Sequence, residues 1–281
     1  MKKIILFFAA GVFTVNVAVA QTNQSTLSQT GNENMTDVLQ VGSTNVSNVI
    51  QDADMNITKV DQAGAGNSSQ VEMTGGENTV SITQIGGLNQ AVSLISEGGN
   101  TAGISQDGNG NTARQELNTS NSTATVFTEG DNSKTIQQVS GTGNTAQAAQ
   151  SGNNNLITQA QNGENITAFV TQSGDNAIAV LEQDGVSNNV GLLQEMGNNN
   201  SAFVAQNGGN NFAGGEGDPQ LSQTGSNNTL ILSQNGDMNA STIIQEGNGN
   251  EAVNAQLSNE NTSVITQLGN GNVANVAQRD N

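Results

Sequence analysis

Residues 223–278 read QTGSNNTLILS, QNGDMNASTII, QEGNGNEAVNA, QLSNENTSVIT and QLGNGNVANVA, closed by Gln278. Gln223, Gln234, Gln245, Gln256, Gln267 and Gln278 fall 11 residues apart. Gly225, Gly236, Gly247 and Gly269 follow two residues after four of them, and Asn228, Asn239, Asn250, Asn261 and Asn272 follow five after. An aliphatic residue recurs four places beyond the Asn, at Leu232, Ile243, Ile265 and Val276. The unit is Q-x-G-x-x-N-x-x-φ-x-Q, where φ is aliphatic. A fixed short period marks a repeat architecture and takes precedence over any local motif.

The register extends upstream. Gln29, Gln40, Gln51 and Gln62 keep the spacing, followed by Met73, Gln84, Ile95 and Gln106, while Asn34, Asn45, Asn56, Asn67, Asn78, Asn89, Asn100 and Asn111 run unbroken beside them. Between Arg114 and Gly143 the register slips twice by one residue, with Asn121, Asn132 and Asn144 as surviving markers. Gln150, Gln161, Gln172, Gln183 and Gln194 restore it, with Asn155 and Asn188 in frame. Gln206 comes one residue late, and Gln223 follows after one unit plus an insertion. That insertion centres on Phe212–Pro219, holds the only proline and reads as a loop bulging from one turn. The whole series makes 23 slots.

Each unit suits one strand and one turn. With the Asn as position 0, even positions share a face because a strand alternates sides. Position 2 is small or β-branched (Thr36, Ser47, Thr58, Val80, Ala102, Ala202), position 4 aliphatic (Val38, Val49, Val60, Val71, Ile82, Ile104, Leu192, Val204), and position 6 Gln. Odd positions carry the charged and variable residues, as at Asp37, Lys59, Glu72 and Arg114. The x-G-x-x segments supply the positive φ angles of a tight turn. A lone strand of this kind has nothing to bury against. Two units, about 22 residues, therefore form one strand–turn–strand–turn coil, and coils stack as parallel strands about 4.8 Å apart. The expectation is an all-β solenoid of roughly 11 coils, about 55 Å long. Inward Asn and Gln are predicted to hydrogen-bond to their copies above and below, which removes the cost of burying an amide.

Composition narrows the function. The chain has no His, Cys, Trp or Tyr, so imidazole and thiolate chemistry and the usual zinc ligands are excluded. Asp and Glu are scattered through turns rather than converging as a hydrolase requires. Neither catalysis nor a cofactor or metal is expected. Met1–Ala20 reads as a secretory leader: Lys2 and Lys3, an apolar stretch, then Ala18-Val19-Ala20. No later segment approaches a membrane span. Loss of the leader leaves four basic residues against 24 acidic ones, which opposes nucleic-acid binding.

The Gln and Asn at matching places, the Q-x-G-x-x-N turn, a small residue two after the Asn and the A-x-A leader together resemble the curlin family, over Asn23–Gln278. The resemblance implies a secreted subunit of extracellular amyloid fibres, curli or pilus-like, serving adhesion and biofilm matrix. The partners implied are further copies of the chain, a second curlin-like subunit and an outer-membrane secretion pore. Asn in nearly every unit is similar to nucleator-type minor subunits, whereas major subunits carry a polar N-terminal segment; both roles stay open.

Other motifs have simpler readings. Asp107-Gly-Asn109-Gly-Asn111 fails as a calcium loop, since Thr112 and Asn118 stand where Gly and a bidentate Glu are needed. The sequons at Asn45, Asn56 and Asn261 arise because a ladder Asn is followed two residues later by a small inward residue. The pattern runs from Asn23 to Gln278 without polar caps, so open strand edges are expected to add further copies. The alternative, a monomeric solenoid binding ice or a glycan surface, needs an ordered outer array, and the odd positions read as too mixed to form one.

Overall fold

The computed structural model describes residues 22–214 and 221–279. The expected leader at 1–20 and the insertion from residue 215 to Pro219 lie outside the described residues. The chain is an all-β solenoid of about 11 coils. Strands alternate between two sheets, the first running from Gln24–Thr30 to Val273–Gln278 and the second from Met35–Ser43 to Thr262–Leu268. Every pairing is parallel, and partners lie 22 residues apart through most of the chain, as in Val38 with Val60 and Val60 with Ile82.

Even positions point inward. Val49, Val60, Val71, Ile82, Leu181, Leu230 and Ile243 are fully buried or nearly so, while their odd neighbours face solvent. The aliphatic interior forms two clusters. One spans Val49 to Ala146, with Leu27 and Val38 against it, and the other spans Ala148 to Ile265, with Ala274 and Val276 against it.

The slip expected over 114–143 is absent. Lys134 pairs with both Thr112 and Leu156, and Thr123 with both Thr101 and Thr145, all at the regular spacing. Position 0 there is Ser122 and Ser133, both buried, whereas Asn121 and Asn132 are the preceding turn residues with φ of 55° and 56°. Lys134 is accordingly exposed. What changes in this region is chemistry rather than register. In the first sheet position 6 reads Met73, Ile95, Leu117 and Val139, and position 4 takes the amides Gln115, Gln137 and Gln159. At Gln115–Leu117 and Gln137–Val139 aliphatic and amide have exchanged places along the strand, and the boundary between the two clusters falls just beyond them, between Ala146 and Ala148.

The insertion also differs from expectation. Phe212–Ala213 and Leu221–Thr224 both lie between Asn189–Glu195 and Ala240–Glu246 and form one interrupted rung. The extra residues enter after Ala213, where neighbouring rungs have the outward residues Gly191 and Thr242. They interrupt a strand at an outward position rather than a turn, which leaves Ala213 and Leu221 buried and the interior intact.

Turns stack as closely as strands. Gly64 sits at φ 121°, and a Cβ there would collide with the carbonyl of Gly86 in the next coil. Two residues later the backbone adopts a left-handed conformation whatever the residue, as at Glu77 (62°), Leu88 (58°), Asn154 (57°) and Gly249 (67°). Asn tolerates that conformation better than other side chains. Gly64→Ala should therefore lower the unfolding midpoint markedly, whereas Gly249→Asn, with open space for its Cβ, should change stability by about 1 kcal/mol or less. Chemical denaturation monitored by circular dichroism compares the two.

Candidate functional site

Two kinds of buried amide hold successive coils, and they do so differently. Gln84 is typical of position 6. Its Oε1 accepts from Gln62 Nε2 (2.8 Å), and its own Nε2 donates to Gln106 Oε1 (3.0 Å) and to the Ser68 carbonyl in the opposite sheet (3.1 Å). The side chain ties coil to coil and sheet to sheet with the same –NH₂ group. In the second sheet the chain Gln40–Gln62–Gln84–Gln106 resumes as Gln150–Gln172–Gln194–Gln223–Gln245–Gln267. The first sheet carries Gln29–Gln51, then Gln161–Gln183–Gln206–Gln234–Gln256–Gln278. Gln115, Gln137 and Gln159 form a separate run, donating to the carbonyls of Gly103, Thr125 and Gln147 across the interior.

The Asn residues reach their copies through the backbone rather than through the side-chain amide. Asn89 Oδ1 accepts the backbone N–H of Asn111 (3.0 Å), and Nδ2 donates to the carbonyls of Gly108 (2.8 Å) and Ile85 (3.1 Å). The same Oδ1-to-backbone contact links Asn34 to Asn56, Asn56 to Asn78, Asn78 to Asn100, Asn45 to Asn67 and Asn67 to Asn89. It continues from Asn155 to Ala177, from Asn188 to Asn211, and through Asn228, Asn239 and their successors. The predicted side-chain-to-side-chain Asn ladder is thus corrected: the left-handed turn presents backbone groups within reach, and the Asn satisfies them. Amide-to-amide bonds between stacked Asn occur at the last coil, where Asn261 and Asn272 turn Nδ2 back to Asn239 and Asn250 (3.0 Å each). Buried Asn45 and Asn56 are inaccessible to glycosylation in this fold.

Asn23 and Asn144 make the same contacts in frame, whereas Asn200 and Asn211 make them one residue off the 11-residue template. Asn200 lies six before Gln206, so counting back from Gln would have found it. Gln115, Gln137 and Gln159 recur every 22 residues in one sheet, a signal visible only at the full-coil period.

Outside the interior the site is sparse. Lys59 pairs with Asp61 (2.7 Å) and Arg114 with Glu116 (3.2 Å), each two residues apart on an outer face. The hydrogen bond and charge of Asp61 raise the Lys59 pKa above its ordinary value. No metal-holding group of three or more His, Cys, Asp or Glu occurs among the described residues, and none of their helices is long and apolar enough to cross a membrane. Along one edge of the solenoid the turns carry an exposed chain of backbone N–H to side-chain oxygen bonds: Asn109 to Asp131, Asp131 to Asn153, Asn153 to Asp175, and on to Asn248 and Asn270.

A parallel β-solenoid laced by stacked amides is the class these features define. Residues 225–253, slightly more than one coil, match the family described as Curlin associated repeat. Comparison with curated proteins gives no match. The repeat and the β-solenoid fit a structural role.

Gln172 accepts from Gln150 and donates to the Leu156 carbonyl and to Gln194 Oε1, so a carboxylate in its place is charged and faces two acceptors with no donor to give. Gln172→Glu should destabilise the chain at neutral pH by several kcal/mol. Burial raises the folded-state pKa of the new carboxyl above its unfolded value of about 4.3. The loss therefore shrinks as pH falls through that raised pKa, where the protonated acid again donates. Urea titrations at pH 4 and pH 7 read the difference; equal losses at both would place Gln172 outside the ladder.

Proposed function

We propose that the chain is a secreted structural subunit that polymerises through its open strand edges into curli-like extracellular amyloid fibres, for adhesion and biofilm matrix. Its partners are copies of itself, with a second curlin-like subunit and an outer-membrane pore as export and assembly partners. The carrying observation is the likeness of the two ends. The first rung has Ser25, Leu27 and Gln29 inward and the last second-sheet rung has Ser263, Ile265 and Gln267, so one end presents to a copy the surface that every internal coil presents to the next. No cap covers either edge among the described residues, and unpaired strand edges are templates for further pairing.

One column favours the second reading, a solenoid that binds an ordered surface. Thr79, Thr101, Thr123, Thr145 and Thr167 align on the outside of the second sheet, a sustained array that the mixed odd positions conceal in sequence. The neighbouring column reads Ser81, Gly103, Thr125, Gln147 and Phe169, so the array is one residue wide.

Fibre growth tests the favoured reading. The chain from Gln21 onward should convert without cofactor into fibres with a meridional spacing of about 4.8 Å, faster as salt screens its acidic surface. In parallel pairing, the odd residues of the final strand direct their N–H toward the next coil, as Glu251 does toward the Asn272 carbonyl (2.8 Å). Asn275→Pro removes such an outward donor while keeping the bonds to Glu251–Gln256. The variant should fold, stop elongation at one end and inhibit the parent chain substoichiometrically in seeded growth. Unimpeded elongation by this variant, or a parent that stays monomeric for days at high micromolar concentration, overturns the reading.

A further inference from the structure

We propose that successive subunits in the fibre are related by a half-turn about its axis, so that the first sheet of each copy continues the second sheet of the one before it. The inference rests on the fibre reading and deepens it by assigning which strand meets which.

The argument comes from counting rungs. The first sheet has 12 strands. The second also has 12 strands but 11 rungs, because Phe212–Ala213 and Leu221–Thr224 share one. The described solenoid therefore begins and ends in the same sheet, with Gln24–Thr30 at one end and Val273–Gln278 at the other. Successive strands climb half a coil each, about 2.4 Å, as they alternate between sheets. After Val273–Gln278 the next place on the spiral lies above Thr262–Leu268, in the second sheet. A copy whose first strand, Gln24–Thr30, takes that place has its second strand, Met35–Ser43, above Val273–Gln278, and each step is one strand spacing. A copy docked without rotation sets Gln24–Thr30 above Val273–Gln278 instead. Met35–Ser43 then stands two spacings, about 9.6 Å, above Thr262–Leu268. One rung would be missing, with backbone donors and acceptors unpaired on both sides of the gap.

Side chains agree with the rotated arrangement. Ser25, Leu27 and Gln29 fall over Ser263, Ile265 and Gln267, and Thr36, Val38 and Gln40 over Ala274, Val276 and Gln278. Met35 and Val273, both more than half exposed in the single chain, cover one another. The turn after the first strand comes over the turn holding Gly269, so Gly31 meets Gly269, which like Gly247 beneath it has no Cβ to strike the carbonyl of the next coil. Asn32 meets Asn270, the last member of the exposed turn ladder, and its Oδ1 can take the N–H that Asn270 presents, as Asn32 N–H itself bonds Asp54 (2.7 Å). Asn272 Nδ2, turned back in the single chain, gains the Gly31 carbonyl, the equivalent of the Gly269 carbonyl that Asn250 uses (2.8 Å). The fibre repeat is then two subunits, with a rise of about 55 Å and a half-turn between them.

The chain has no native cysteine, so engineered pairs report contacts cleanly. Thr26, Val264 and Asn275 are all exposed at position 3 of end strands. In the rotated stack Thr26 lies over Val264 and Asp37 over Asn275. Without rotation Thr26 lies over Asn275, with the body of the solenoid between it and Val264. Fibres of the double variant Thr26→Cys, Val264→Cys and of the double variant Asp37→Cys, Asn275→Cys, treated with a short bismaleimide, should give covalent multimers on denaturing gels. Fibres of Thr26→Cys, Asn275→Cys should stay largely monomeric. Linking of the last pair, or of all three pairs alike, or of none in fibres that grow normally, overturns the half-turn and leaves the fibre reading standing. Failure of the parent chain itself to form fibres strikes at the fibre reading instead.

Discussion

A primary amide buried in a parallel stack has two donors and an acceptor to satisfy, and that requirement governs this molecule. Gln84 meets it by accepting from the coil before, donating to the coil after and donating across to Ser68. A lone coil offers only the last of these partners. The interior is therefore stable only as a series, since each coil completes the hydrogen bonds of its neighbour. The aliphatic residues at position 4 supply the dry surroundings in which such bonds count for most. The Asn at the turn does complementary work, clamping backbone that a left-handed bend would leave bare.

Much of this was legible in the sequence. The 11-residue period gave the strand, the alternation gave the faces, and the Gln series gave the number of rungs. Three features were not legible, each for a physical reason. Turn positions just before the ladder also favour Asn, because Asn tolerates positive φ; Asn121 and Asn132 therefore imitate ladder residues and conceal Ser122 and Ser133. The exchange of Gln and aliphatic between positions 4 and 6 is confined to one sheet, so it recurs at 22 residues and looks like noise at 11. Whether an inward Asn meets its copy at the side-chain amide or at the backbone depends on the reach of a turn whose geometry the residue names do not encode.

The insertion after Ala213 shows how far the pattern tolerates interruption. Six residues beyond the usual one enter a strand, yet Gln194, Gln223 and Gln245 remain bonded through it at 2.6 and 2.9 Å. The extra chain leaves from an outward position, where no ladder contact is lost. Strand continuity matters less here than the inward sequence on either side.

The division of the aliphatic interior between Ala146 and Ala148 has a kinetic consequence. Contacts between successive coils span only one coil of chain, so loop closure is cheap and winding can start locally. Each half of the solenoid contains its own apolar nucleus, one centred on valines and isoleucines before Ala146 and the other on leucines and valines after it. At the boundary the strand Leu156–Glu164 turns two amides inward, Gln159 and Gln161, and so has less apolar surface with which to begin. The polypeptide thus has two seeds and one late-closing seam, and winding from the two seeds meets in register because Gln137 and Gln159 bond across that seam only when their 22-residue spacing is matched.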